Sequence, residues 1–378
     1  MHVAQVGFYL DPYDRGPREL LRAWPSIVEV AEAAATAVAK VSVLQACKQE
    51  EDFAVHGVDY HFVARPDDAR PWARARAGAE RLIERLATLR PDAVHIHGLG
   101  FPGPVSQLAR RMPGVPILLQ DHADRPPTFW HRRSWRKAAT QAAGIALCSR
   151  DQLRPFAAAG VLPENLPVFE IPECTSRFRP ADRDSARQTT GLHGEPAVLW
   201  VGHLDANKDP LTVLEALRRT AEALPRLELW CVYKSAALLP QIERQLKASP
   251  DLRRRVHLLG AVPHERVEVL MNAADLYVSA SHREGSGYAL IEALACGLPA
   301  IVTDIPSFRA LTAQGRVGLL WSAGDPAALA ARLIQGAGLL RAQHRVEVRA
   351  HFARELSARA VGQKLADTYA QLMSHAAK

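Results

Sequence analysis

The stretch REGSGYALIEALACGLPAIVTD, Arg283 to Asp304, decides the fold. Just upstream, Leu276, Tyr277 and Val278 form a short strand-type run ended by Ser279 and Ser281. Gly285 and Gly287 permit a tight turn with positive backbone angles. From Tyr288 the letters YALIEALAC are good or neutral helix formers, and Gly297 and Pro299 stop the helix. Pro299 to Thr303 is a second apolar, β-branched run. Strand, glycine turn, helix and strand make one βαβ unit, with the turn at the first strand's carboxyl end.

At 3.6 residues per turn, Leu290, Ala293 and Leu294 share an arc that faces the sheet, while Tyr288, Glu292 and Cys296 share another. Glu292 is therefore expected one turn inside the helix and off its core face, with Glu284 on the preceding loop. Unpaired N–H groups at the helix start carry partial positive charge and suit a phosphate. Two carboxylates suit the hydroxyls of vicinal diols. Phosphates plus many hydroxyls describe a sugar nucleotide. An ordinary helix start with solvated glutamates is the competing reading.

The rest of the chain supports a globular, two-part protein. Its 378 residues suit two domains of about 150–190 residues each. Apolar residues make up 48% and charged residues 23%, which excludes disorder as the default. The amino terminus reads as a strand, and neither a signal peptide nor a spanning helix is expected. Cys47, Cys148, Cys174, Cys231 and Cys296 are scattered and never form a Cys-x-x-Cys pair, so free thiols in a reducing cytosol are expected. The net charge of +7 fits anionic partners without choosing among them.

Strand-type runs alternate with helical stretches: VAQVGFYL, VSVLQA, DYHFVA, AVHIH, PILLQ, GIALCS and PVFEIP. After a polar stretch the alternation restarts with AVLWVG, LELWCVY, RVHLLG and DLYVSAS. Two successive parallel α/β sheets follow, divided as 1–176, a linker at 177–195, 196–344, and a helical tail at 345–378.

Two further stretches carry chemistry. GLGFPG places Gly98, Gly100 and Gly103 as a literal G-x-G-x-x-G between a strand and a helix, a dinucleotide fingerprint. Pro102 removes a donor inside that loop, and the loop does not follow the first strand of its domain, so a loop lining a cleft for another ligand is preferred. TFWHRRSWRKAATQAAG puts Trp130, Trp135, Arg132, Arg133, Arg136 and Lys137 on one expected helix. It reads either as an anionic-membrane or acceptor contact, or as solvated cations over core tryptophans.

The opening stretch resembles the donor-site signature of retaining GT-B glycosyltransferases of the glycogen-synthase and bacterial mannosyltransferase type (family 4, group 1). Ser281, Glu284, Gly285, Gly287, Glu292, Ala293, Ala295, Gly297 and Pro299 match, and Ser286 replaces the usual aromatic residue. The resemblance covers most of the second half, about Ala197 to Thr303. VGHLDANKDP resembles the same family's basic diphosphate-binding step: Lys208 matches, and His203 stands where arginine is usual. QDHADRPP resembles its first-domain histidine, which makes His122 the residue that contacts the transferred sugar. Gly16 in DPYDRGPREL corresponds to a glycine near the donor phosphates. Asp182 and Asp184 mimic the metal-binding Asp-x-Asp of the other glycosyltransferase fold, but read as a solvated charge run.

The resemblance implies two Rossmann-like α/β domains facing a cleft, with a terminal helix crossing back to the first. It implies a metal-independent, retaining transferase that takes a nucleotide-diphosphate sugar as donor and no cofactor. Lys208, His203, Gly285, Ser286, Gly287, Tyr288, Glu292 and Gly16 would bind the donor, with Glu284 and His122 catalytic. The acceptor would be a glycan, lipid or small molecule, nucleic acid is not expected, and a cytoplasmic setting peripheral to the inner membrane face is. An NAD-dependent oxidoreductase, a non-catalytic binding protein on the same scaffold and a nucleotide-sugar epimerase remain as alternatives.

Overall fold

The computed structural model describes residues 1–66, 70–338 and 342–376. The chain forms two compact units: Met1–Thr175 together with the tail from Ala358, and Ser176–Ser357. Among the described residues, no helix is long and apolar enough to cross a membrane.

The first unit is built on an eight-stranded sheet. Its strands are β1 (His2–Gly7), β2 (Lys40–Cys47), β3 (Glu51–Val55), β4 (Val58–Ala64), β5 (Ala93–His97), β6 (Ile117–Gln120), β7 (Gly144–Leu147) and β8 (Val168–Glu170), in the order β3-β4-β2-β1-β5-β6-β7-β8. Helices such as Pro25–Ala35 and Pro71–Leu89 cover the faces. The central strands are therefore buried along nearly their whole length, Gln5, Ser42 and Gln45 included, instead of alternating.

The sheet is not wholly parallel, as the alternation had suggested, because β3 runs antiparallel to β4. The two strands are joined by His56 and Gly57 at φ 50° and 80°. Positive φ at both central positions matches the twist of a two-residue hairpin.

The second unit carries six parallel strands: β9 (Ala197–Gly202), β10 (Glu228–Tyr233), β11 (Val256–Gly260), β12 (Leu276–Ser279), β13 (Ala300–Thr303) and β14 (Gly318–Trp321). Their order is β11-β10-β9-β12-β13-β14. The stretch read as a linker, 177–195, contains a helix, Arg183–Thr190, that belongs to this unit. Asp182 caps it by accepting from the Ser185 N–H at 2.8 Å. Arg183 and Arg187 each reach the buried Asp275 carboxylate at 2.7 Å. The Asp-x-Asp pair is thus a helix cap and its neighbour.

The tail is two helices rather than one. Ala342–Glu355 stays with the second unit, while Ala358–Ala376 packs along the helix Pro25–Ala35 of the first. Residues 377–378 of the expected tail lie outside the described residues. Tyr369 is fully buried, and its hydroxyl meets His95 Nδ1 at 2.8 Å in the middle of β5.

Gly362 lets the two helices touch: a β-carbon there would lie 2.0 Å from the Ala33 carbonyl oxygen and 2.4 Å from Thr36 Oγ1. Gly362→Ala should therefore push the helices apart and destabilise the first unit by about 1–3 kcal/mol. A thermal melt reads this as a lower transition temperature. An unchanged melt would show that the helix contact contributes little.

Candidate functional site

In the second sheet, β9 has β10 on one side and β12 on the other, so the chain departs in opposite directions after these two strands. A crevice opens at the carboxyl end of such a switch point. The loops that follow β9 and β12 meet there and are stitched together. The His282 N–H donates to the Asn207 carbonyl at 2.8 Å, and Asn207 Nδ2 donates to the Arg283 carbonyl at 3.0 Å. His282 Nε2 meets the Asp209 carboxylate at 3.1 Å. This stitching brings Lys208 Nζ onto the Glu284 carboxylate, although 76 residues separate them in sequence. Both side chains are largely buried.

Gly287 caps the helix Tyr288–Ala295 with φ 85°. A β-carbon there would sit 2.4 Å from the Phe308 ring, so the position excludes any side chain. Gly285 has no positive φ, contrary to expectation, and the turn rests on Gly287 alone. Ser286 is buried and Tyr288 half-buried at the helix start. These residues place the positive end of the helix beside the Lys208–Glu284 pair.

Glu292, expected off the core face, is nevertheless only 3% exposed, which rules out the competing reading of a solvated glutamate at this position. The helix is packed against the sheet and also against the helices His264–Ala273 and Ala342–Glu355, so Leu290 through Ala295 are all buried. Burial raises the Glu292 carboxyl above its ordinary pKa, and contact with His264 partly offsets this. His264, 42% exposed, also lies against Phe178 at 4.8 Å and Tyr288 at 6.2 Å. The Glu292 carboxylate thus lies next to a histidine that reaches solvent. His203 is exposed on the β9 loop, and its Nδ1 accepts from the Ser235 N–H at 3.4 Å.

The first sheet has its own switch point, between β1 and β5, and a cavity of about 510 Å³ opens there. Gly7, Gln45, His97, Gly98, His122 and Asp124 are among its lining residues, with Tyr9, Trp24 and Phe101 as apolar wall. His122 Nδ1 pairs with Glu173 at 2.7 Å, and its Nε2 lies 3.0 Å from His97 Nδ1. His97 Nε2 lies 3.4 Å from Gln5 Oε1. Burial, with His95 and His122 nearby, holds the His97 pKa well below the usual histidine value.

A neutral His97 donates from Nε2 to Gln5, so its Nδ1 accepts from His122. His122 then holds a proton on each nitrogen. Burial would lower its pKa, yet Glu173, Asp124 and Asp121 together raise it. Both nitrogens of His122 are thus engaged by protein groups, which the expectation of a direct sugar contact did not include.

Gly16 caps the seven-residue helix Pro17–Ala23 with ordinary backbone angles. A β-carbon there would meet only Gln49, at 3.6 Å, so the position does not require glycine. The Gly98–Gly103 loop does not behave as a dinucleotide fingerprint either. A β-carbon at Gly103 meets nothing, where close helix packing would demand glycine. The Leu99 N–H is already bound to the Asp124 carboxylate at 2.8 Å, a charge that repels a pyrophosphate. In the tryptophan stretch, Trp130 is 86% exposed on a turn before the helix Arg132–Ala139, while Trp135 stacks inward on Phe156.

His97, Glu173, Asp124 and His264 were missed in the sequence. His97 alternates with His95 along β5 and could have been read by its period of two. Glu173 and Asp124 lie in loops without periodicity, and His264 opens a helix distant in sequence from Glu292.

Two family descriptions match the chain in order: Glycosyltransferase Family 4 over residues 25–168 and Glycosyl transferases group 1 over residues 195–337. The D-inositol 3-phosphate glycosyltransferase of Rhodococcus erythropolis is 27% identical over 60% of this chain and 55% of its own length. The GDP-mannose:cellobiosyl-diphosphopolyprenol alpha-mannosyltransferase of Xanthomonas campestris is 26% identical over 61% of this chain and 60% of its own. The matched part thus spans little more than half the length of these relatives. The fold is similar to that of the sucrose-phosphate synthase of Thermosynechococcus elongatus, with TM-score 0.74, 17% identity, and 99% and 100% of the two chains covered. It is also similar to Anabaena HepE in complex with UDP and glucose, with TM-score 0.71, 17% identity, and 98% and 100% covered.

Asp121 offers a pH test of the first unit's cluster. Burial, then the Asp124 charge, pushes its pKa up to about 7, above the ordinary aspartate value. A raised folded-state pKa contributes stability that is complete below the ordinary value and lost as pH rises to about 7. Asp121→Asn, neutral throughout, escapes that loss while its side-chain oxygen can still accept from the Asp124 N–H. The variant should gain more in melting temperature over the parent at pH 8 than at pH 4.5. A pH-independent difference would show that Asp121 ionises normally.

Proposed function

The chain belongs to the group 1 (family 4) glycosyltransferases, and from that premise we propose that it transfers a sugar from a nucleotide-diphosphate sugar to an acceptor hydroxyl, with retention and without a metal ion. The observation that carries this reading is the contact of Lys208 with Glu284 beside the start of the helix Tyr288–Ala295. A cation, a carboxylate and a positive helix end at one switch point match the parts of a sugar nucleotide.

The donor diphosphate lies over Gly285 to Tyr288 and draws Lys208 away from Glu284. The lysine thereby exchanges a protein carboxylate for phosphate, and Glu284 is released to the sugar hydroxyls. Charge accumulating on the departing diphosphate is met by Lys208 and the helix dipole, which would supply the stabilisation a divalent ion gives elsewhere. Glu284 favours the positive charge that develops at the anomeric carbon. Glu292 takes the ribose diol, with His264 holding its other side. His203, whose Nδ1 accepts from the Ser235 N–H, has Nε2 to donate to phosphate. Gly16 keeps its assignment to the donor phosphates, and His122, a cationic imidazole in the Glu173–His122–His97 chain, its assignment to the transferred sugar. The five buried free thiols fit a reducing, cytoplasmic setting. Exposed Phe129 and Trp130, followed by Arg132, Arg133, Arg136 and Lys137, offer a peripheral contact to an anionic membrane.

A thermal-shift panel of UDP, GDP, ADP and NADH identifies the base; stabilisation by NADH alone would sink the reading. With the donor in hand, Glu284→Gln should lose transfer by orders of magnitude without losing nucleotide affinity, because its sugar contact grows in the transition state and Lys208 no longer has to leave a carboxylate for phosphate. Glu292→Gln, which keeps the shape and the His264 partner, should instead weaken nucleotide binding by about 1.5–3 kcal/mol. Near-parental single-turnover transfer in Glu284→Gln would reduce that residue to a loop constituent. Turnover that vanishes in EDTA and returns with magnesium would refute metal independence.

A further inference from the structure

At the other edge of the second sheet, where its strands begin, His193, Glu228 and His257 converge. His193 lies four residues before β9, Glu228 opens β10 and His257 is the second residue of β11. One ligand atom from each lies within 4.8 Å of the others. His193 Nε2 is 3.3 Å from Glu228 Oε2, and His257 Nε2 contacts the same oxygen.

The supporting groups fix the rings. His193 Nδ1 lies 2.9 Å from the Gly191 carbonyl, so that nitrogen carries the proton. In the neutral ring, Nε2 then presents a lone pair to a carboxylate oxygen, and two lone pairs at 3.3 Å repel. A cation is required there: either a second proton on the ring or a metal ion. A backbone carbonyl on the far nitrogen is the usual orienting partner of a metal-bound histidine. His257 is stacked on Trp230 at 3.8 Å and 14°, and the buried indole donates to the His193 carbonyl at 2.9 Å. Ligands on a tetrahedral ion sit about 3.4 Å apart at zinc-like bond lengths, close to the His193–Glu228 spacing.

We propose that His193, Glu228 and His257 bind one divalent transition-metal ion of the zinc, cobalt or nickel class, with water completing a tetrahedral shell. The ion clasps the segment leading into β9 onto the starts of β10 and β11. It lies at the opposite strand ends from Lys208 and Glu284 and takes no part in transfer, so either proposal can fail without the other.

The test uses full-length, tag-free protein stripped with EDTA. Titration with Co2+ should give one equivalent bound with a tetrahedral visible spectrum, and Zn2+ should compete it away and raise the melting temperature. His193 is 62% exposed, so His193→Asn should melt as the parent does in EDTA, yet bind Co2+ at least about tenfold more weakly. Glu228→Gln should also bind weakly. No saturable binding, or equal binding in His193→Asn, would overturn the site. A melting temperature that responds to pH but not to metal would assign the second proton instead, and would overturn it equally.

Discussion

Parallel strands all end at one edge of their sheet, and that constraint assembles the site around Lys208 and Glu284 in the second unit. Each loop that follows a strand emerges on the same side, so residues distant in sequence become neighbours wherever adjacent strands are distant in order. β9 and β12 are such a pair, and Lys208 and Glu284 meet because of it. The crossing hydrogen bonds among Asn207, His282, Arg283 and Asp209 fix the two loops relative to each other. The first unit repeats the device with β1 and β5, which open the cavity beside His97 and His122.

The two units handle charge differently. Around Lys208 the opposite charges are paired and largely buried, and any anion arriving there competes with one carboxylate. Around His122 a string of buried groups shares protons: Glu173 holds the imidazolium, His97 stays neutral, and burial, then the Asp124 charge, raises the Asp121 carboxyl. Low dielectric raises the energy of every unpaired charge, so the proton on each of these groups depends on the charges of its neighbours.

Much of this was legible in the sequence. The glycine turn, the helix it starts and the strands on either side follow from residue types between Leu276 and Thr303, and Lys208 could be placed from its position after AVLWVG. The misreadings have physical causes. Glu292 reads as lying off the core face because a period of 3.6 identifies a face but not what packs against it, and here neighbouring helices cover the side away from the sheet. The hairpin partner β3 escaped notice because EDFAV is half-exposed and its His-Gly turn lacks the common Asn-Gly signal. The helix inside the expected linker was hidden by its polarity; it is held by Arg183 and Arg187 on Asp275, a contact that no local pattern announces. Glu173 joined the site through tertiary contact alone.

The path of the chain through its last helix bears on how the protein is made. The first unit begins at Met1, leaves off at Thr175 and resumes only at Ala358. During synthesis its sheet emerges early, but the Gly362 surface that fits Ala33 and Thr36 and the tyrosine that reaches His95 arrive only after the whole second unit. Until then the helix Pro25–Ala35 keeps an apolar flank uncovered, and the nascent unit is exposed to association with other chains. The second unit, continuous from Ser176 to Ser357, has no such wait, because all of its residues precede Ala358. The amino-terminal half is thus the later to mature, and a ribosome that stops short of Ala358 releases a chain whose older half is the unfinished one.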